Sequence, residues 1–219
     1  MFSYCLNDPI NYTDPGGLCA LCLVSKNSNQ FSMTGFYGCG GESIGGYYTR
    51  KATSRDKKNG LIHDQARFPY SEEAVGLGSY ADSGCAIIAT YNALQLLGKT
   101  VSLGSIRDEY LFKHGTILLG LGGVGPWSFD DYFESHGINC AGYLSFDSLH
   151  ANISEGGVVI FTLMNDVSNI TKGFHTMAAQ YVNGKYHVYN GYSSGVQVVS
   201  NLRDVNSGNM WIWGYIVGG

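Results

Sequence analysis

The chain has 219 residues, a formal net charge of −4 and a sequence pI near 5.8. That balance excludes the basic stripe of a nucleic-acid binder, and no apolar run approaches the ~18 residues of a membrane span. The length suits one domain with extensions or two small ones, and a single core of this size buries roughly 70% of its unfolded surface without staples.

Residues 1–18 read MFSYCLNDPINYTDPGGL. Asn-Asp-Pro and Asp-Pro-Gly-Gly form turns around a short β-prone stretch, an edge piece without a core of its own. The run PINYTDPGGL, residues 9–18, resembles the PxxxxDPxGL signature that closes the core of Rhs/YD-repeat proteins, and the preceding YCLNDP is similar to the end of that core. The resemblance implies that Cys19 onward is a toxin payload, secreted or delivered to a target cell as the C-terminal part of a larger protein. It also implies self-cleavage after Leu18, by a protease outside these residues, and a small immunity protein that protects the producer. No charged-then-apolar signal peptide opens the chain, so export falls to another segment.

Residues 19–75 read as a Gly/Ser-rich extension, mostly loops with one short strand before residue 60. Its basic patch RKATSRDKKNG reads as solvated surface. Cys19 and Cys22 form a CxxC. A zinc site needs two further ligands, and only Cys39 and His63 lie loosely downstream, so the pair reads as unliganded thiols and no metal or cofactor is expected. The six cysteines (Cys5, Cys19, Cys22, Cys39, Cys85, Cys140) are too irregularly spaced for a disulfide scaffold.

From about residue 61 the pattern sharpens, and residues 76–219 read as one α+β domain. Cys85 to Leu97 carries Ile87, Ile88, Tyr91, Leu94 and Leu97 at helical spacing, and Gly98 stops it. A second helix is expected from a capping box at Ser105 and Asp108 to Gly115. GLGGVGPW, residues 120–127, reads as an ordinary connector, with the glycine content of a cleft-lining lid as the other reading. A third helix starts at Ser128 and ends at Gly137. Then come strand-like runs: INCAGYL, GVVIFTLM, HTMAAQYV, KYHVYN and MWIWGYIV. Helices first and strands afterwards predict helices packed on a mostly antiparallel sheet.

The chemistry centres on Cys85. The turn ADSG places it in the first turn of its helix, where free N–H groups and the helix dipole favour a thiolate. Packing of a small apolar side chain accounts for the position equally well. A nucleophilic thiol needs a base. His114 and His136 sit beside helix-ending glycines as dipole partners, His150 reads as surface helix, and His63 lies in a polar stretch before the sheet. Asn183-Gly184 is the strongest hairpin turn in the chain. It sets 182 against 185, 177 against 190 and 175 against 192. His175 and Asn190 then share a face as diagonal neighbours, within reach of an amide that accepts the ring N–H. His187, opposite Gln180, points to the other face.

The order Cys85, His175, Asn190 resembles papain-like cysteine peptidases, above all their bacteriocin-processing C39-like branch. The resemblance rests on DSGCAIIATYNALQLLG and GFHTMAAQYVNGKYHVYNGY and spans about residues 76–192. It implies a papain-like fold, with Cys85 as nucleophile, His175 as base and Asn190 as orienter. Such peptidases place an oxyanion-binding glutamine about six residues before the cysteine. Here Ser79 holds that place, and Gln65 stands twenty residues away. The oxyanion donors are therefore taken as the Cys85 backbone N–H and Ser79. The leading reading is a toxin effector that acts as a cysteine protease on proteins of a target cell. A glutamine deamidase or acyltransferase on the same fold stays open, as does a non-enzymatic binding module with an aromatic-rich surface.

Overall fold

The computed structural model describes residues 60–115, 123–125, 128–166, 173–206 and 210–219. The signature ending at Leu18, the Cys19–Cys22 pair and the early strand lie outside them. The described residues all belong to one unit, Asp56–Gly219, which begins before the boundary read at residue 76. The reason is packing. Ile62, Tyr70 and Val75 are buried, and the Asn92 side chain accepts the Ile62 N–H at 2.8 Å and donates to the Ile62 carbonyl at 2.8 Å. A buried amide thus satisfies the backbone of an entering loop, a role that hydrophobic periodicity does not reveal.

A short hairpin, β1 (Ala74–Val75) and β2 (Gly78–Ser79), leads into a one-turn helix α1 (Tyr80–Ser83) and the central helix α2 (Cys85–Leu96). Helix α2 is buried from Ala86 to Leu94, Thr90 and Asn92 included, so it is a core helix buried all round. Gly98, at φ +70°, closes its C-terminus in the left-handed conformation.

Helix α3 (Leu103–Glu109) starts before the expected Ser105 because Ser102 is the cap: its hydroxyl accepts the Ser105 N–H at 3.0 Å, while the Ser105 hydroxyl turns back onto the Ser102 carbonyl. It runs on as a π-helical turn, Tyr110–His114, that Gly115 ends at φ +86°. Helix α4 (Ser128–Ser135) starts where expected, and the Ser128 hydroxyl donates to the His114 and Gly115 carbonyls, tying α4 to the end of that turn. His136 Nδ1 lies 2.8 Å from the Tyr132 carbonyl, the helix-end role read for it.

The sheet has six strands in the order β3-β8-β4-β5-β6-β7, every pairing antiparallel. Five are the strands read from the sequence: β3 (Cys140–Tyr143), β4 (Val158–Met164), β5 (Phe174–Val182), β6 (Lys185–Tyr189) and β8 (Met210–Val217). The sixth, β7 (Gln197–Val199), carries too short an apolar run to stand out in its Ser/Gly-rich surroundings. A further helix, α5 (Phe146–Asn152), carries His150 and is capped by Ser145. The β5–β6 register is the one the turn dictated, with Val182 opposite Lys185, Gln180 opposite His187 and Ala178 opposite Tyr189.

Both faces of the sheet are covered, which is why β4 reads as an unbroken apolar run. Val158, Ile160 and Ala178 pack under α2, α3 and α4. Val159, Phe161, Leu163, Met177 and Ala179 face α5 and a 3-10 turn at Leu202–Val205.

Asn92→Leu removes both bonds to Ile62 and leaves a buried N–H and carbonyl unpaired. Each orphaned group costs ~1–3 kcal/mol, so the variant should lose about 2–6 kcal/mol in urea denaturation; a loss below about 1 kcal/mol would show that the Ile62 loop is not anchored through this amide.

Candidate active site

Gly84 decides where Cys85 stands. Its N–H closes α1 on the Tyr80 carbonyl at 3.0 Å, and its own carbonyl accepts the Ile88 N–H at 2.9 Å inside α2. A Cβ there would lie 2.6 Å from the Tyr80 Cα, so only glycine lets the two helices meet at this spacing. The helical run breaks at Gly84, and Cys85 opens a new helix as its first residue. Its N–H is one of the first-turn donors without an intrahelical acceptor.

The Cys85 thiol is half-buried. It is hydrogen-bonded to the His175 ring and to both the backbone and the side chain of Thr176. Burial pushes the thiol up; the hydrogen bond and charge of His175, with the two bonds from Thr176, more than offset it, and the balance lies below the ordinary thiol value. His175 mirrors this. Burial pulls the imidazole down, whereas the bond and charge of Cys85 and the Asn190 carbonyl raise it above its ordinary value. Opposite displacements in two touching groups favour the thiolate–imidazolium pair.

The tautomer follows from the partners. His175 Nε2 lies 2.6 Å from the Asn190 backbone oxygen. A carbonyl only accepts, so Nε2 carries the proton and Nδ1 is left for the sulfur. The Tyr192 ring stands edge-on to His175, centroids 5.2 Å apart, and the Tyr192 hydroxyl donates to Asn165 Oδ1 at 2.6 Å.

Sheet geometry explains how ring and sulfur meet. By strict alternation His175 belongs to the face of Met177 and Ala179, opposite α2. It lies beyond the last β5–β6 pair, Ala178 with Tyr189, where β5 has lost that neighbour. The open edge gives the ring a path to Cys85 and exposes the Thr176 backbone to the sulfur. The Thr176 hydroxyl also pairs with Thr162 at 2.9 Å, buried beneath the site.

Two expected roles are corrected. Asn190 does steady the ring, but through its backbone and not its amide. It sits just past β6 with φ +57°, a left-handed conformation that aims its carbonyl at His175, while its buried amide faces Gln65. Ser79 is no oxyanion donor in this geometry. It caps α1: its hydroxyl accepts the Asp82 N–H at 3.2 Å and donates to the Asp82 carboxylate at 2.7 Å. The Cys85 N–H, at the first turn of α2, is the other expected donor. His187 stays opposite Gln180 and away from the pair, as the register required. Of the glycine-rich loop only residues 123–125 are described; Val124 is buried in the core and Gly123 approaches the Ser83 carbonyl.

Thr176 and Tyr192 escaped the sequence reading. Thr176 adjoins His175, yet a threonine in a strand carries no signal of its own. Cys140 is the contrast: burial and then Asp130 push its thiol up. Among the described residues no group of three or more His, Cys, Asp or Glu side chains is placed to hold a metal ion, and no helix is long and apolar enough to cross a membrane. No protein-family model matches the chain, and neither does any curated protein.

Thr176→Val keeps the shape and removes one donor to the sulfur. In iodoacetamide labelling resolved by peptide mapping, the pH midpoint at Cys85 should lie below the ~8.5 of a free thiol and move upward in the variant, with Cys140 slow in both. An unmoved midpoint would show that the hydroxyl does not stabilise the thiolate.

Proposed function

We propose that this chain is a cysteine hydrolase of papain-like chemistry, acting as a protease on proteins of a target cell as the toxin part of an Rhs-type protein. One observation carries the chemistry: Cys85 at a helix mouth, hydrogen-bonded to a His175 whose far nitrogen is held by a carbonyl, the thiol displaced down and the imidazole up. The delivery context rests on the resemblance at residues 9–18.

Each step has a group to perform it. The Cys85 thiolate attacks the scissile carbonyl and forms a C–S bond, and the oxygen takes the negative charge within reach of the Cys85 N–H. His175 passes its Nδ1 proton to the leaving nitrogen as the C–N bond breaks, which leaves a thioester and a free amine. Water then gives a proton back to Nδ1 and attacks the thioester, releasing a carboxylic acid and restoring the thiolate–imidazolium pair. The Asn190 carbonyl keeps Nε2–H throughout, so the ring turns neither away from the sulfur nor into the other tautomer. Phe174, next to His175, and Met210 are exposed apolar side chains on strands joined through Met164. A polypeptide substrate offers side chains to cover them.

Hydrolysis should follow a bell-shaped pH profile. It rises as Cys85 loses its proton, below the usual thiol range, and falls as His175 loses its own, above the usual imidazole range. A single rise centred near an ordinary thiol value would contradict the ion pair. Expression in susceptible cells tests the function: Cys85→Ala should abolish toxicity, and mass spectrometry of exposed proteins should show new chain termini. Equal toxicity of variant and wild type ends the catalytic reading, and a mass gain without cleavage replaces protease by deamidase.

A further inference from the structure

Asn190 is a non-glycine residue in the left-handed region, φ +57°, and almost wholly buried. Such a backbone persists only where its surroundings over-determine it. Both hydrogen bonds of its side chain go to one residue. Asn190 Oδ1 accepts the Gln65 N–H at 2.8 Å, and Asn190 Nδ2 donates to Gln65 Oε1 at 3.1 Å. The other end of the same amide reaches across the site: Gln65 Nε2 donates to the Ala81 carbonyl at 2.7 Å. Ala81 lies in α1, four residues before Cys85, and its carbonyl is the acceptor the Cys85 N–H would take if the helix ran through Gly84.

From this chain of contacts we propose that Gln65 is a positioning residue, one amide plane that fixes the Asn190 carbonyl on His175 and the Ala81 turn ahead of Cys85. The proposal rests on reading Cys85 and His175 as the reacting pair. Gln65 acts through its neighbours and touches neither reacting group. On the His175 side it holds Asn190 in the conformation that presents its carbonyl to Nε2. On the Cys85 side it occupies the Ala81 carbonyl, which favours the break at Gly84 and keeps the Cys85 N–H for an oxyanion. Without the amide both supports loosen together: the ring loses the acceptor that fixes its tautomer, and the thiolate loses its partner.

The test needs no substrate. The full chain as wild type, Gln65→Met and Gln65→Ala is labelled with iodoacetamide across a pH series, Cys85 modification is read by peptide mapping, and each protein is melted thermally as a folding control. Methionine keeps the length and volume of glutamine, and its backbone N–H still donates to Asn190. Both variants should melt cooperatively and shift the Cys85 midpoint upward by about one pH unit, an about tenfold slower reaction on the acid side. A midpoint equal to wild type overturns the proposal. So does loss of a cooperative melt in both variants, which would make it a residue of the fold. A wild-type midpoint in the ordinary thiol range sinks the reacting pair itself, and the positioning role with it, and is told apart because it appears before any variant is made.

Discussion

The bond between the Cys85 sulfur and the His175 ring is the interaction on which the site depends, and it exists because β6 stops where it does. Had pairing continued past Tyr189, the Thr176 backbone would be spent on the ladder and a strand would fill the space in which ring and sulfur meet. Asn190 ends the strand by turning left-handed. One backbone event therefore opens the edge of β5, frees a backbone donor for the thiolate and aims a carbonyl at the imidazole.

The electrostatics are a contest that burial loses. Desolvation disfavours both charged forms, by pushing the thiol up and the imidazole down. Each group is rescued by the other. At contact distance and an effective dielectric near 20, opposite unit charges attract by about 4 kcal/mol, and this attraction acts against the burial of both groups. The remaining support is neutral: a hydroxyl, backbone groups and a carbonyl. Among the described residues no carboxylate is bonded to His175, so there the ring is oriented without a second negative charge that would compete with the thiolate for it.

Much of the framework was legible in the sequence. The Asn183-Gly184 turn fixed the β5–β6 register, and Gly84-Cys85 marked the opening of the central helix. Face alternation alone would have sent His175 to the wrong side of the sheet, because period-2 reasoning assumes a neighbour strand that is missing at that point. The role of Asn190 was read at the right residue and the wrong atoms for the same reason: the residue leaves the strand, so its backbone and not its side chain meets the ring. Ser79 was placed by its distance from Cys85 along the chain, whereas its hydroxyl answers the local demand of a helix cap. Gln65 and Asn92 make contacts 125 and 30 residues away in sequence, and no local pattern encodes such pairings.

The central claim is that His175 is charged because Cys85 is. An NMR titration of the His175 ring, in wild type and in Cys85→Ala, tests it most directly. The wild-type midpoint should lie above the ~6.5 of an ordinary imidazole and fall in the variant, where the sulfur is gone and only the Asn190 carbonyl opposes burial. The same midpoint in both proteins would contradict it, since the two groups would then titrate as strangers.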